Sequence, residues 1–346
     1  MRLLPIPKWA SQYLREWLVE RRRIIRLFVA AVALMLVATR MAHGADGQRV
    51  PVIGEVLFST PSNAAPWDKA FRDGLRALGY IEGENINIVT RYAEGDASKL
   101  PAIFNELLTL QVDILLVADR AALAAKAATR IVPIISPTMG SPVELGLVES
   151  LGRPGGNLTG LSAQNRDSDP KRMELLAELV PGIRRLGLLF EGHPSQQGDL
   201  EAFRKLAGEL GITTLRTFQA GNPEEIQTAL RSISRERLQA LIIWNSSTLG
   251  LHREEILRAT SHRLPVLVNG REFAQSGALI SYAPNTFDLY RRSAGYVDRI
   301  LKGAKPADLP IEQPTKFELI INLKTAKELG IAIPQSILLR ADETIR

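Results

Sequence analysis

Short apolar runs rich in β-branched residues alternate with amphipathic stretches along the chain from Val50 onward. Residues 52–58 form the first such run, which predicts a buried strand. Residues 67–78 then carry apolar side chains at the spacing of one helix face, and Gly79 provides a helix end. Because strands and helices alternate in this way without hairpin signals, the pattern predicts an α/β fold with parallel sheets covered by helices on both faces.

The same pattern starts again in the second half of the chain. Residues 113–117 correspond to residues 240–244, and residues 132–135 correspond to residues 264–267. This repetition predicts two similar doubly wound parallel-sheet lobes joined by a multi-strand hinge. Since ligands of open parallel sheets bind beyond the carboxyl ends of the strands, two facing lobes predict a binding cleft between them.

The predicted division of the chain follows from where the pattern begins, repeats and ends. Lobe 1 is placed at residues 46–164, with a later return segment near residues 285–305. Lobe 2 is placed at residues 165–284, together with the C-terminal segment at residues 306–346. Residues 1–45 precede both lobes and are predicted to be a signal peptide.

The signal-peptide prediction depends on a basic flank, an apolar core and an exit of small residues. Arginines at residues 21–26 precede an uncharged apolar run at residues 27–38, and small residues surround position 44. Such a run spans about 18 Å as a helix, short of the ~30 Å hydrocarbon layer of a membrane. We therefore predict cleavage near residue 45 and a periplasmic location, with an uncleaved anchor as the alternative and the export route, general or twin-arginine, left open.

Charge and cysteine content narrow the function classes further. The net charge of +6 resides in the first 45 residues, so the remainder is neutral and has no basic surplus for nucleic acid. The absence of cysteine excludes a lipid-modified cysteine, disulfides, thiolate metal sites and a cysteine nucleophile. These features are typical of a soluble protein of the Gram-negative periplasm.

Catalytic and cofactor motifs give no support for an enzyme. The four histidines lack metal-ligand spacing, and the chain has no glycine-rich phosphate loop. Residues 168–171 fit a Ser-x-x-Lys pattern, but Pro170 interrupts it and its companion motifs are missing. The sequence therefore predicts a protein that is not an enzyme and that binds no cofactor or metal.

Long stretches of the chain match a known family in order. Three of the most specific are FRDGLRALGYIEG at residues 71–83, LGRPGGNLTG at residues 151–160 and QPTKFELIINLKTAK at residues 313–327. Shorter matches lie at residues 51–54, 91–95, 126–129, 171–181, 271–273 and 300–310. With these stretches the chain resembles the substrate-binding proteins of ABC transporters that have the type I periplasmic-binding fold, in the group that includes tryptophan and other aromatic amino-acid binders.

The resemblance implies a periplasmic solute-binding protein that captures a small molecule and delivers it to an inner-membrane ABC permease and its ATPase. It implies a monomer whose lobes close about crossing strands near residues 162–167, 284–285 and 305–314. An amino acid, with aromatic ones favoured, is the expected ligand. Branched-chain amino acids, other small carboxylates and nucleobase-like compounds stay open as ligands. The alternative functions are a two-lobed α/β enzyme such as a glycosyltransferase and a ligand-sensing domain of a regulator.

Polar and aromatic side chains at the predicted strand ends are the candidate ligand-binding residues. Hydroxyls and backbone N–H groups after the first strand suit a carboxylate, with helix capping as the alternative role. Asp119 or Glu272 would pair with an amine, and Trp244 or Tyr282 would stack on a ligand unless they belong to the core. The predicted set is Ser59, Thr60, Asn63, Asp119, Ser136, Thr138, Trp244, Asn245, Ser246, Asn269, Glu272 and Tyr282.

Overall fold

The computed structural model describes residues 49–118, 120–163, 168–192, 196–314 and 316–346. The predicted signal peptide lies outside the described residues. Within the ranges given, none of the helices combines the length and the apolar character needed to cross a membrane.

The first lobe is built on a five-stranded sheet. Its strands are β1 (Val52–Leu57), β2 (Asn87–Tyr92), β3 (Ile114–Val117), β4 (Ile134–Met139) and β5 (Leu158–Ser162). Their order is β2-β1-β3-β4-β5, and every neighbouring pair is parallel. The central strand β3 is buried at all four positions, as expected for a strand that has helices on both faces.

Three helices connect the first strands of this sheet because parallel neighbours require a crossover. They are α1 (Pro61–Ala77), α2 (Leu100–Thr109) and α3 (Arg120–Ala128). Helix α1 buries Phe71 and Leu75 against the sheet, at the helical spacing that the sequence predicted. The fold thereby places the N-terminus of α1 at the carboxyl end of β1.

The second lobe is built on a seven-stranded sheet. Its strands are β6 (Arg185–Phe190), β7 (Thr214–Gln219), β8 (Ala240–Ile243), β9 (Val266–Val268), β10 (Ile280–Pro284), β11 (Phe317–Asn322) and β12 (Glu343–Ile345). Their order is β12-β11-β10-β9-β8-β6-β7.

The later helices in the described part of the chain are α4 (Asp169–Leu179), α5 (Gln197–Glu209), α6 (Pro223–Arg235), α7 (Ser247–Leu251), α8 (Arg253–Thr260), α9 (Arg271–Gln275), α10 (Thr286–Leu301), α11 (Leu323–Leu329) and α12 (Gln335–Leu338).

One strand pair departs from the purely parallel sheet that the sequence predicted. Strand β11 runs antiparallel to β10, whereas the other neighbours in this sheet are parallel. The reason is the path of the chain, which leaves β10 at its carboxyl end, forms α10 on the first lobe and returns to the same edge. Strand β11 therefore starts where β10 ends and runs in the opposite direction.

Helix α10 is the segment of the later chain that packs on the first lobe. Its residues Tyr290 and Ala294 join the apolar cluster beneath the first sheet, which also contains Ile53. Helices α1 and α10 approach so closely at Gly74 that a β-carbon there would overlap the carbonyl oxygen of Arg291. Glycine is the one residue that permits this contact, despite its cost inside a helix.

The chain crosses between the lobes at three places. These are the segments between β5 and α4, between β10 and α10, and between α10 and β11. The third crossing is tied to the first lobe at β5, where Ser162 N–H donates to the Glu312 carbonyl at 2.8 Å and Glu312 N–H donates to the Gly160 carbonyl at 3.1 Å. These bonds pair the third crossing with β5, the strand from which the first crossing leaves.

Candidate functional site

The N-terminus of α1 lies at the carboxyl end of β1, where the first lobe contacts the second. Thr60 occupies the N-cap position with an extended backbone, but its side chain makes no capping hydrogen bond. Pro61 follows at the first helical position, where its missing N–H costs nothing. The first turn contains no acidic residue, so the positive end of a 17-residue helix faces the cleft without a neutralising carboxylate from its own first turn.

Three hydroxyl groups surround this helix end. Thr60 Oγ1 lies 3.3 Å from Ser62 Oγ, and Ser59 is nearly buried directly after β1. The structure thus brings together the predicted residues Ser59 and Thr60, and it provides both hydroxyl and N–H donors at one point. Such a group of donors is chemically suited to an anion such as a carboxylate.

Asn63, also in the first turn of α1, has a partner in the other lobe. Its Oδ1 atom accepts a hydrogen bond from Arg253 Nη2 at 3.2 Å, and Arg253 begins helix α8 of the second lobe. The two edges of the cleft are therefore in direct contact at this point.

The second predicted group of the first lobe, at the end of β4, is only partly accessible. Ser136 is completely buried, and its hydroxyl donates to the Thr138 carbonyl at 3.1 Å. The register of β4 and β5 shifts here, and Gly160 approaches Ser136 so closely that a β-carbon would overlap its backbone. Gly160 also has a φ of +139°, which favours glycine. Ser136 therefore stabilises this irregular part of β4. Thr138 is half-buried and is the more accessible of the two predicted residues.

In the second lobe, three predicted residues gather around Gly270. Asn269 Oδ1 accepts a hydrogen bond from the backbone N–H of Asn245 at 2.7 Å. A β-carbon at Gly270 would lie 2.8 Å from Asn245 Nδ2 and 3.3 Å from Glu272 Oε2. Within the described part of the chain, Asn245 Oδ1 is buried without a hydrogen-bond partner. This group offers an amide and a carboxylate to a ligand with hydrogen-bond donors.

Three other predicted residues of the second lobe have structural roles. Ser246 caps α7, because its Oγ atom accepts from the N–H of Leu249 at 3.2 Å. Trp244 is buried in the core, with its ring edge-on to Phe190 and Phe203. Tyr282 stacks on Phe317 across the antiparallel pair, with ring centroids 5.5 Å apart. Both aromatic residues make core contacts, and their stacking on a ligand stays a prediction. Asp119 lies outside the described residues.

Sequence reasoning missed Glu191, which directly follows β6. Glu191 is nearly buried, and its Oε1 atom accepts a hydrogen bond from Thr248 Oγ1 at 2.6 Å. Because β1 ends at Leu57 and β6 ends at Phe190, Glu191 corresponds to Phe58 of the first lobe, one residue before the position of Ser59. A carboxylate therefore lies in the second lobe one position away from the equivalent of the first-lobe hydroxyl.

A buried ion pair beneath the second-lobe edge was also missed. Arg172 is 1% exposed, and its guanidinium donates to Asp169 Oδ1 through Nε and Nη2. The same oxygen accepts from Trp244 Nε1 at 3.2 Å. Arg172 Nη1 further reaches the Tyr282 carbonyl at 3.4 Å. Helix α4 follows the first crossing between the lobes. The ion pair of Arg172 and Asp169 therefore connects the first turn of this helix to the ends of β8 and β10.

The first lobe contains a buried acid beneath α1. Glu55 on β1 is fully buried, and its Oε2 atom accepts from Thr90 Oγ1 at 3.0 Å. Burial, and next the neighbouring carboxylate of Asp68 on α1, raise the pKa of Glu55 to about 8. Arg72 Nε donates a hydrogen bond to Asp68 Oδ1 at 2.7 Å on the outer side of this cluster. Across the described ranges, no three His, Asp or Glu side chains gather as a metal site.

The comparison with known families follows from this architecture. The profile described as ABC transporter substrate binding protein matches residues 55–345. The chain belongs to this family. Its α/β fold of two lobes is that of the type I periplasmic binding proteins, as the resemblance implied. The members are substrate-binding proteins, so the predicted class of the protein is confirmed at that level.

Relatives and solved structures cover nearly the whole chain. A tyrosine-binding protein of Clostridioides difficile is 26% identical over 91% of this chain and 94% of its own length. The crystal structure of a conserved domain protein from Vibrio cholerae superimposes with a TM-score of 0.79 at 26% identity, over 86% of this chain and 100% of that one. An ABC domain from Streptococcus pneumoniae in complex with L-Trp gives a TM-score of 0.79 at 28% identity, over 85% and 99%.

Proposed function

We propose that this family member is the periplasmic solute-binding component of an ABC importer for an aromatic amino acid. It captures the amino acid in the cleft between its lobes and delivers it to an inner-membrane permease and its ATPase. The chemistry of the two edges of the cleft supports this proposal, and so do two similar proteins, one named for tyrosine binding and one crystallised with L-Trp.

The observation that carries the proposal is the N-terminus of α1. Its cap residue Thr60 makes no side-chain capping bond, and hydroxyls of Ser59 and Ser62 lie beside it. A carboxylate bound there would complete the hydrogen bonding of the first helical turn and interact favourably with the helix dipole. The α-carboxylate common to all amino acids fits this position.

The second-lobe edge complements that group. Glu191 and Glu272 place carboxylates near the ends of β6 and β9, where an α-ammonium group would be neutralised. A small zwitterion loses its hydration when a cleft closes, so each of its charges requires a partner in the protein. The opposite signs of the two edges therefore favour an amino acid over a neutral sugar.

Two relatives support the aromatic class. One is named for tyrosine binding, and the other was crystallised with L-Trp. Both align with almost all of this chain. We therefore infer tyrosine or tryptophan, with the predicted N-terminal signal peptide accounting for export.

A thermal-shift and calorimetric series on residues 46–346 tests the ligand class. We expect L-tyrosine or L-tryptophan at 100 times its Kd to stabilise the protein by about 2.7 kcal/mol. L-leucine, uracil and ribose serve as comparison ligands. Mass spectrometry of the recovered ligand should show it unchanged, whereas a chemically altered product would favour the enzyme alternative.

Ligand analogues separate the two edges of the cleft. The methyl ester of the bound amino acid removes the carboxylate, and the deaminated acid removes the ammonium group. Both analogues should bind more weakly by roughly 2–4 kcal/mol, as for charged hydrogen-bond partners. Unchanged binding of the methyl ester would contradict the carboxylate site at α1. As a control, Ser232→Ala removes an exposed hydroxyl on α6 and should leave binding unchanged.

A further inference from the structure

The contact between Asn63 and Arg253 joins the two lobes at the mouth of the cleft. Asn63 lies in the first turn of α1 on the first lobe, and Arg253 is the first residue of α8 on the second lobe. The guanidinium Nη2 atom donates to Asn63 Oδ1 at 3.2 Å. This hydrogen bond exists only while the lobes are close, because its two partners lie on opposite sides of the hinge.

The side chain of Arg253 is held in place by its own lobe. Its Nε atom lies 3.2 Å from Ser276 Oγ, and its Nη1 atom donates to the Gly250 carbonyl at 3.0 Å. Nε and Nη1 are thus used within the second lobe, and Nη2, which also lies 3.9 Å from Glu254 Oε1 of the same helix, reaches across to Asn63. Since contacts within its own lobe already hold the side chain, the interlobe bond costs little additional rotamer entropy.

An apolar contact accompanies this hydrogen bond. Leu251, at the end of α7, packs against Gly95 of the first lobe, so a β-carbon at Gly95 would lie 2.6 Å from Leu251 Cδ1. Gly95 has a φ of +82° in a tight turn, where the preceding Glu94 also has a positive φ of 54°. The glycine lets the first-lobe backbone approach the leucine directly.

We propose that Asn63 and Arg253 form a latch that stabilises the closed form of the protein without contacting the ligand. The inference rests on the proposed binding function, and it changes the role of Asn63, which sequence reasoning assigned to the ligand. Its amide oxygen is already occupied by Arg253. A bond made only in the closed form raises the closed fraction, and the apparent affinity for any ligand rises in proportion to that fraction.

A double-mutant cycle measured on the conformation tests the latch without a ligand. The chain has no cysteine, so cysteines introduced at the exposed positions Asn105 and Arg235 can carry spin labels without background. Pulsed electron resonance then gives the distribution of distances between the lobes. We expect Asn63→Ala and Arg253→Met each to lower the closed-to-open ratio by about 5- to 10-fold, as for a partly exposed charged hydrogen bond.

The double variant decides whether the two residues act together. If they form one latch, the double variant lowers the ratio no further than either single variant, because the shared bond has already been lost. If the effects multiply, the residues act independently and the proposal is wrong. An unchanged ratio in Asn63→Ala also overturns it, and this variant leaves the contacts of Arg253 with Ser276 and Gly250 in place.

Two further variants sharpen the test. Asn63→Asp replaces the neutral acceptor with a carboxylate and should raise the closed-to-open ratio, with an effect that decreases as salt is added. Arg258→Met, an exposed arginine on the same helix, is the matched control and should leave the ratio unchanged. A lower ratio in Asn63→Asp would contradict the latch.

Titration with L-tyrosine and L-tryptophan separates this inference from the proposed function. Equal losses of affinity in Asn63→Ala, Arg253→Met and the double variant support both. If neither amino acid binds but the distances show coupling, the latch stands and the proposed ligand class is wrong. If one of the two amino acids binds, and the losses of affinity in the two single variants add up in the double variant, the ligand class stands. Asn63 then acts on the ligand rather than through Arg253.

Discussion

The two lobes repeat one strand–loop–helix plan, but the loops after their first strands differ in chemistry. After β1 the first lobe places Ser59 and the N-terminus of α1, whose first turn has no acidic residue. After β6 the second lobe places Glu191, which is hydrogen-bonded to Thr248. The scaffold is thus shared, while the loops that follow the first strand of each lobe carry different side chains. This difference shows why fold and ligand have to be argued from different residues.

Helix capping shows the same contrast. Ser246, Asn222 and Asn285 each cap a helix by accepting a backbone N–H through the side chain. Thr60 has the same N-cap position and a suitable hydroxyl, yet makes no such bond. At each of the other three helix starts the cap side chain accepts one backbone N–H, whereas at α1 no side-chain cap does so.

The largest predicted effect concerns the support of the second-lobe edge. Asp169→Ala removes the carboxylate that neutralises the buried guanidinium of Arg172 and that accepts from Trp244. Because the arginine charge then stays buried without this partner, the free energy of unfolding should fall by about 3–5 kcal/mol. Urea denaturation measures this free energy of unfolding from the midpoint of the transition and from the slope of its dependence on urea concentration.

Lys171→Ala, on the same helix with an exposed ion pair to Glu174, is the control for that experiment. It should change the free energy of unfolding by less than about 1 kcal/mol. If Asp169→Ala has an equally small effect, the edge of the second lobe does not depend on this pair.

The next effect compares the acidic residues that could bind an ammonium group. Glu191→Gln and Glu272→Gln in the structure, and Asp119→Asn from the sequence, each keep shape and remove one negative charge. At least one should weaken amino-acid binding by roughly 2–4 kcal/mol in calorimetry, and it should do so much less for the deaminated acid. Identical binding of both ligand forms by all three variants would rule out an amine partner among these residues.

The fold was predictable because it depends on apolar periodicity. The strand predicted at residues 52–58 lies at Val52–Leu57, whereas the helix predicted at residues 67–78 begins earlier, at Pro61. The antiparallel pair of β10 and β11 was missed because strand direction depends on the path through α10, which leaves no mark in the local pattern. The residue bounds of the lobes and the cleaved leader stay predictions.

The candidate site was predictable only in part. Residues at strand ends follow from topology, which is why Ser59, Asn245 and Asn269 lie at the edges of the lobes. Whether such a residue faces the cleft or the core depends on packing of distant segments. Trp244 is the example, since Phe190, Phe203 and Asp169 fix its ring from three other elements. The interlobe partner of Asn63, 190 residues away, could not be inferred from sequence.

A smaller effect tests the buried acid of the first lobe. The pKa of Glu55, raised by burial and by Asp68 from 4.5 to about 8, means that the folded protein holds this proton more tightly than the unfolded chain. The associated stability is fully present below about pH 4.5 and is lost as the pH rises through about 8. The side chain of Glu55→Gln cannot ionise, so this variant avoids the cost of burying a charge at high pH. At pH 9 its free energy of unfolding should exceed that of the parent by about 2 kcal/mol.

Unfolding midpoints of parent and variant between pH 5 and pH 9 measure this difference. The two should diverge as the pH rises, while Arg72, Thr90 and Tyr92, which surround Glu55, are unchanged in both. Glu84→Gln, at an exposed position of the same lobe, should run parallel to the parent at every pH. Parallel curves for Glu55→Gln as well would mean that Glu55 ionises normally in the folded protein.

The smallest predicted effect is at the helix end that carries the proposed function. Thr60→Val removes one hydroxyl but keeps the β-branched shape at the N-cap position. Since Thr60 makes no capping bond, its loss should leave the free energy of unfolding nearly unchanged, whereas an N-cap that did bond would lose about 1 kcal/mol. Amino-acid binding should instead weaken by about 1 kcal/mol, because one donor to the carboxylate is lost.

Asn222→Ala, which removes a bonded cap on α6, should show the reverse: lower stability and unchanged binding. If Thr60→Val behaves like Asn222→Ala, the hydroxyl caps the helix in solution, and the contrast between the two cleft edges then depends on the backbone N–H groups alone.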